Sequence, residues 1–285
     1  MLIPILWSIF SPAALIRFQG TSTFKPEAHP QEFANRVLLR NKAVEERNIF
    51  GAIFYNQHFF PVQVFIKGYL SHFNPQWLFF NSGSDPFKMP NMGLLYLWEI
   101  PFIIIGVVYF LSKKDIFLER KLLVVMWFLL APIPASIATQ APHAMRSYNF
   151  LPTWQIFAAF GLIYIFYKLQ KIKLLNFIAF GIAILFSVTA VYKNYFTLFP
   201  KEQSDSFSYA LSNAVVYVMS HEQKYNKIVF SNEDNLYQSY MLFLFHSRYD
   251  PLKYQKEGGT RSGGFAETHS FGKYEFRPID LSKEK

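Results

Sequence analysis

Two stretches of this chain carry side chains able to bind or move charge. His143 and Arg146 lie in TQAPHAMRSYNFLPTW (Thr139 to Trp154); Asp85 lies in FNSGSDPFKMPNMG (Phe80 to Gly93), with Glu99 shortly after. If Pro142 opens a helical turn, His143 and Arg146 stand three apart and project from one face. An Arg fork beside a His suits a phosphate or pyrophosphate, because a guanidinium makes paired charge-assisted hydrogen bonds that an ammonium does not reproduce. The same pair at a helix start also fits a plainer role, snorkelling from an apolar surface to water. The Asp85 carboxylate could bind a metal, act as general base toward a hydroxyl or orient a sugar; equally, it could close an Asx turn before Pro86. Glu99 follows Gly93 by six residues, about 9 Å down a helix that starts there. An acid at that depth is functional by default, unless the helix end lies deeper and leaves Glu99 at the interface beside Trp98.

The elements that must hold these residues are membrane helices. Of 285 residues, 52% are hydrophobic and only 16% charged, a balance that argues against ordinary soluble domains. The mean hydropathy of +0.13 averages two unlike parts. Four stretches approach or meet the roughly 20 apolar residues needed to cross about 30 Å of hydrocarbon. They are Gly93 to Leu111, Leu122 to Thr139, Phe150 to Tyr167 and Leu174 to Tyr192, none with a sustained amphipathic stripe. Met1 to Ile16 is a fifth candidate, about 24 Å long as a helix and without signal-peptide features; it reads as the second half of a membrane helix.

Orientation follows from the short loops, where Lys and Arg stay cytoplasmic. Ser112 to Lys121 holds Lys113, Lys114, Arg120 and Lys121, and Lys168 to Lys173 holds Lys168, Lys171 and Lys173, so both turns are expected on the cytoplasmic side. Alternation puts Arg17 to Met92, Gln140 to Asn149 and everything after Lys193 on the opposite face. The net charge of +9 supports this division, since after Tyr192 the charges nearly balance, 12 Lys and Arg against 11 Asp and Glu. The expected fold is an α-helical polytopic membrane protein of about four to five transmembrane helices with a small C-terminal extracytoplasmic α/β domain. Its parts are a short or partial transmembrane helix over 1–16, an extracytoplasmic loop with interfacial helices over 17–92, a four-helix transmembrane region over 93–192, and the α/β domain over 193–285. In that last part Asp205 is a candidate cap for a helix through Ser220, Lys227 to Ser231 and Tyr274 to Asp280 read as strands, Asn235 to Phe245 as a helix, and Tyr254 to Gly264 as a Gly-rich loop.

Several chemistries drop out. With no Cys, the chain has no disulfide, thiolate site or cysteine nucleophile. The remaining histidines show no close ligand spacing, so no metal site is built from sequence. GGTRSGG (Gly258 to Gly264) lacks the Gly-Lys-Ser/Thr ending of a phosphate loop, no G-x-S-x-G elbow is present, and no nucleic-acid signature accompanies the basic residues.

The run YLSHFNPQWLFFNSGSDPF…NMGLLYLWEIPFIIIGVVYFL (Tyr69 to Leu111), then APHAMRSYNFLPTW (Ala141 to Trp154), then KIVFSNEDNLYQSYMLFLFHSRYDPLKYQ (Lys227 to Gln255), resembles the C-terminal half of bacterial integral-membrane glycosyltransferases of the GT-C superfamily. These are relatives of dolichyl-phosphate-mannose protein mannosyltransferases and of the lipid A aminoarabinose transferase. The resemblance implies a multi-pass plasma-membrane enzyme that transfers a hexosyl or pentosyl group from a polyprenyl-phosphate carrier to an extracytoplasmic acceptor. It places His143 and Arg146 near the carrier phosphate, and Asp85 in the loop framing the sugar cavity. Asp85 and Glu99 become the catalytic candidates; divalent-metal dependence stays open. Two departures stand out. The family's Arg-His pair after that Asp is replaced here by Lys88, Met89 and Pro90, and the acid that activates the acceptor lies in a first external loop that this chain does not contain. A separate N-terminal half is therefore an expected partner. The alternative is a non-catalytic membrane subunit whose external domain docks a partner, with a transporter a weaker third because the spans carry almost no charge.

Overall fold

A computed structural model of the chain describes residues 11–80, 85–260 and 268–280. Helices among these repeatedly carry Pro at their first or second position, where its missing N–H costs nothing and its fixed φ favours the first turn. The chain divides into two compact units, one running Thr21–Glu202 and the other built on Gln203 onward together with residues before Thr21. Of the expected first half-span, residues 1–10 lie outside the described residues; helix α1 occupies Pro12–Thr21.

In the first unit, α2 (Pro30–Glu45), α3 (Ile49–Phe54) and α4 (Phe60–Ser71) are joined through one buried cation. The Arg36 guanidinium donates to the carbonyls of Phe54 and Asn56 and to the Gln63 side chain, with the Phe60 ring 5.9 Å from its carbon. Next come α5 (Ile100–Ser112), α6 (Leu118–Leu130), α7 (Ile133–Ile137), α8 (Leu151–Lys168) and α9 (Lys173–Lys193).

Among the described residues, three helical stretches are long and apolar enough to cross a membrane: Leu118–Ile137, Tyr148–Lys168 and Gln170–Glu202. The expected span from Gly93 to Leu111 is corrected to a shorter apolar helix, Leu97–Ser112. The reason lies at Gly93, where a Cβ would stand 2.3 Å from the Leu78 carbonyl oxygen, and at Leu95, whose N–H donates to that same oxygen at 2.9 Å. The backbone there is held against a neighbouring segment and cannot also wind into a helix.

Helices α5 and α8 meet at glycine. A Cβ on Gly106 would lie 1.7 Å from the Phe157 carbonyl oxygen, and one on Gly161 would lie 1.9 Å from that of Phe102, so backbone touches backbone with no side chain between. Trp77, Leu95, Ile103, Phe110, Phe150 and Phe157 form the core around this crossing. At one end Lys113 stands 5.2 Å over the Tyr109 ring and Lys168 5.7 Å over that of Tyr164, while the two rings meet at 4.8 Å. The two basic turns thus share an end of the helix pair. Helix α9 returns from that end, and the Trp98 indole donates to Ser187 at 2.9 Å. Most of α9 has no protein cover; Leu185 is 68% and Phe186 71% exposed.

The second unit holds α10 (Tyr209–Ser220), α11 (Ser239–Ser247), α12 (Pro251–Lys256) and a three-stranded sheet of β1 (Ile228–Phe230), β2 (His269–Phe271) and β3 (Tyr274–Phe276) in the order β1-β3-β2. Strand β3 runs parallel to β1, pairing Phe276 with Phe230, and antiparallel to β2, pairing Phe276 with His269. Tyr274, Phe276 and Phe271 bury one face against Tyr240, Phe243 and Val215. The proposed Asp205 cap is corrected: α10 starts at Tyr209, after Ser208 at φ 55°, and it is the Asp205 carbonyl that accepts the Ser208 N–H. Strand β2 and helix α12 were not anticipated; α12, capped by Asp250, begins before the expected Gly-rich loop and runs into its first residues, ending at Lys256.

Candidate functional site

Two loops meet at the end of the α5–α8 pair away from the basic turns. The second of them leaves the helical region through a short backbone pairing, Thr23 N–H to Ile137 and Thr139 N–H to Thr21, at 3.0 and 2.8 Å. Asp85 ties the loops together. One carboxylate oxygen accepts the Phe87 N–H at 3.0 Å, closing an Asx turn over Pro86, and the other accepts the Ala144 N–H at 2.8 Å. The Phe87 ring then stacks on that of His143, centroids 5.0 Å apart.

This stack separates the two residues that spacing had paired. His143 is buried, and its carbonyl accepts both the N–H and the hydroxyl of Ser147, closing a single turn. Burial and the neighbouring Arg146 charge lower its pKa, partly opposed by Asp85, so the neutral imidazole is favoured. Arg146 is exposed and donates from Nη1 to the Thr139 carbonyl at 2.6 Å, while its backbone N–H faces His143 Nδ1 at 3.4 Å. The pair is adjacent, but only the arginine is exposed to a ligand.

Glu99 lies in the turn that opens α5, not six residues down a helix from Gly93. One carboxylate oxygen accepts the Tyr96 N–H at 2.8 Å, capping the turn Leu97–Glu99 that opens into α5. Both candidate acids are therefore engaged by backbone N–H groups. Beside them runs a cleft of about 220 Å³, lined by Phe87, Lys88, Met92, Tyr96 and Val191 among others, and neither acid is part of its wall.

Sequence reasoning missed Lys88, Trp77 and His72 as site residues. Lys88 is 2% exposed, its ammonium donates to the Trp77 carbonyl, and it stands 5.0 Å over the Trp77 ring. Burial pulls its pKa down to about 8, against the pull of Asp85 in the other direction. The π-helical turn Gln76–Phe80 turns Trp77 inward, and π-turns have no sequence signature. His72 is fully buried, edge-on to Trp77 at 5.5 Å. Its Nδ1 lies 2.8 Å from the Gly68 carbonyl; a carbonyl only accepts, so Nδ1 carries the proton and Nε2 keeps its lone pair without a hydrogen-bond partner. Burial lowers the His72 pKa, and proximity to His143 lowers it further. Lys88 was visible in sequence only as the residue occupying the place of an Arg-His pair.

Among the described residues no three His, Asp or Glu side chains come together as a metal site. No protein-family model matches the chain, and neither does any characterised protein or solved structure with which it was compared.

Proposed function

We propose that this chain supplies the carrier-binding part of a membrane glycosyltransferase of the GT-C type, holding a polyprenyl-phosphate-linked hexose or pentose at the extracytoplasmic face for transfer to an acceptor there. In this reading the Lys113 and Lys168 turns face the cytoplasm of a plasma-membrane protein, and the site loops and the sheet-bearing unit face outward. The observation that carries it is the Asp85–Ala144 hydrogen bond, which gathers Lys88, His143 and Arg146 at one end of apolar helices. Of these, Arg146 is the exposed one, and its guanidinium suits an anionic lipid head group. Because both local carboxylates already hold backbone N–H groups, neither is assigned as the base that activates the acceptor; that group comes from elsewhere.

The test is binding by the full chain in lipid nanodiscs, comparing a long-chain polyprenyl phosphate with the polyprenol of equal length. Wild type is expected to prefer the phosphate. Arg146→Ala is expected to lose about tenfold or more of that preference, the order of magnitude of one charge-assisted hydrogen bond. Equal affinity for phosphate and alcohol in the wild type sinks the assignment.

A further inference from the structure

We infer that helices α3 and α4 lie in the outer leaflet of the membrane, each with one apolar face among acyl chains, so that a lipid surface is the partner of the segment leading into the site. This rests on the membrane placement proposed above and not on the identity of the ligand.

Helix α4 divides its surface four ways. Phe60, Val64 and Gly68 recur every fourth residue and are buried, with a Cβ on Gly68 only 3.3 Å from the Ser136 carbonyl oxygen. Gln63 and Lys67 form a polar flank, where Gln63 accepts from Arg36 and Lys67 donates to Glu32. On the opposite flank the rings of Phe65 and Tyr69 stack at 6.2 Å. The Tyr69 hydroxyl donates to the Leu129 carbonyl at 2.9 Å, inside the stretch Leu118–Ile137 that is long and apolar enough to span. Between the flanks lie Phe59, Val62, Ile66 and Leu70, at the helical spacing i, i+3, i+7, i+11; all four are exposed, and none carries a polar side-chain atom. Helix α3 repeats the division in six residues. Gly51 packs on Ala43, where a Cβ would stand 2.9 Å from the alanine methyl, while Ile49, Phe50, Ile53 and Phe54 are exposed, Phe50 at 88%. Apolar surface gathered in this way on two consecutive helices marks a contact.

Lipid, more than protein, fits these faces. The α4 stripe borders the flank fixed to the span, so it continues the surface on which Leu122, Met126 and Leu130 of α6 are also exposed. Its other border is the row of amide and charged groups, the arrangement of a helix lying in the plane of the interface with its polar edge toward water. Acyl chains require no hydrogen bonds from a surface, and these faces offer none. The contact between α4 and Ser136 lies at the end of Leu118–Ile137 away from the basic turn, which selects the outer leaflet. Helix α4 ends at Ser71, directly before His72 and shortly before Trp77, so the depth at which it lies sets the height of the site.

The chain has no cysteine, so nitroxides can be attached at single introduced cysteines in the full chain, held in phosphatidylcholine nanodiscs. Power saturation then compares collisions with oxygen, which concentrates in hydrocarbon, and with a water-soluble nickel chelate. Ile66→Cys and Phe50→Cys are expected to give an oxygen-to-nickel ratio several-fold higher than Lys67→Cys, which sits on the polar edge. Phe186→Cys on α9 is the reference for the span. A label at Ile66 or Phe50 as open to nickel as that at Lys67, with Phe186 still in hydrocarbon, overturns the inference and leaves the membrane placement standing. Phe186 open to nickel overturns both. Labels at Ile66 and Phe50 shielded from both reagents mean that protein, a second copy of this chain or another, covers the faces, and that result overturns the inference too. Should Ile66→Cys not fold, Leu70→Cys on the same stripe decides in its place.

Discussion

Asp85 shows how much of a residue's role its neighbours in sequence reveal. Its place before Pro86 marks a turn former, and that turn is present; its second partner, the Ala144 N–H, lies 59 residues away and has no local signal. His143 and Arg146 tell the complementary story. Their spacing of three makes them adjacent, yet Phe87 arrives from the other loop to cover one and leave the other exposed. Carboxylate acceptors for backbone N–H groups contribute roughly 1.5–3 kcal/mol when well buried, and Asp85 is only half-buried, so about 1–2 kcal/mol is expected to be lost in Asp85→Ala. That corresponds to a fall of about 2–8 °C in melting temperature. Asp85→Asn, which keeps one acceptor oxygen, is expected to fall between the two. A variant melting like the wild type would falsify the tie between the loops.

At the level of elements, the apolar runs were legible, and the ends of two of them but not of the first. The stretches expected at Phe150 to Tyr167 and Leu174 to Tyr192 match α8 and α9 to within a residue, because their hydrophobic runs are bounded by proline, lysine or aromatic ends that physics reads the same way in either setting. The start of α5 escaped because Gly93 serves a backbone contact with Leu78, a long-range demand. Glycine at 106 and 161 serves another. Adding a methyl at either forces the α5 and α8 backbones apart, and overpacking of this kind costs about 1–3 kcal/mol. Gly106→Ala is expected to lower the melting temperature, whereas Gly181→Ala is expected to hold or raise it, since nothing lies within 4 Å of a Cβ at Gly181 and alanine is the better helix former. Thermal melting of the two variants side by side is the measurement. Equal responses would mean that the crossing does not control stability.

For the whole molecule, composition separates an apolar part from a charge-balanced tail that was expected to start at residue 193; the units of the structure divide at Gln203, and the residues before Thr21 group with the tail. The touching Tyr109 and Tyr164 rings put the two basic turns at one end of the α5–α8 pair. Sequence could not foresee β2, a three-residue strand that exists because β3 supplies its partner. The absence of cysteine makes sidedness directly measurable. With single exposed substitutions Asp115→Cys and Lys256→Cys, a membrane-impermeant maleimide is expected to label the second in intact cells and the first only after permeabilisation. Labelling of both from outside would refute the topology.

The length of the helix leading from the site has a consequence for how a lipid would arrive. Leu97–Ser112 extends about 24 Å at helical rise, several ångströms short of an ordinary hydrocarbon core, and Lys113 anchors its far end to water. In a bilayer that mismatch is relieved by thinning the outer leaflet or by drawing the loops of Asp85 and Lys88 below the head-group plane. On the carrier reading proposed above, the lipid would then reach these loops by lateral diffusion in two dimensions, and occupancy would follow its mole fraction in the leaflet instead of its concentration in water.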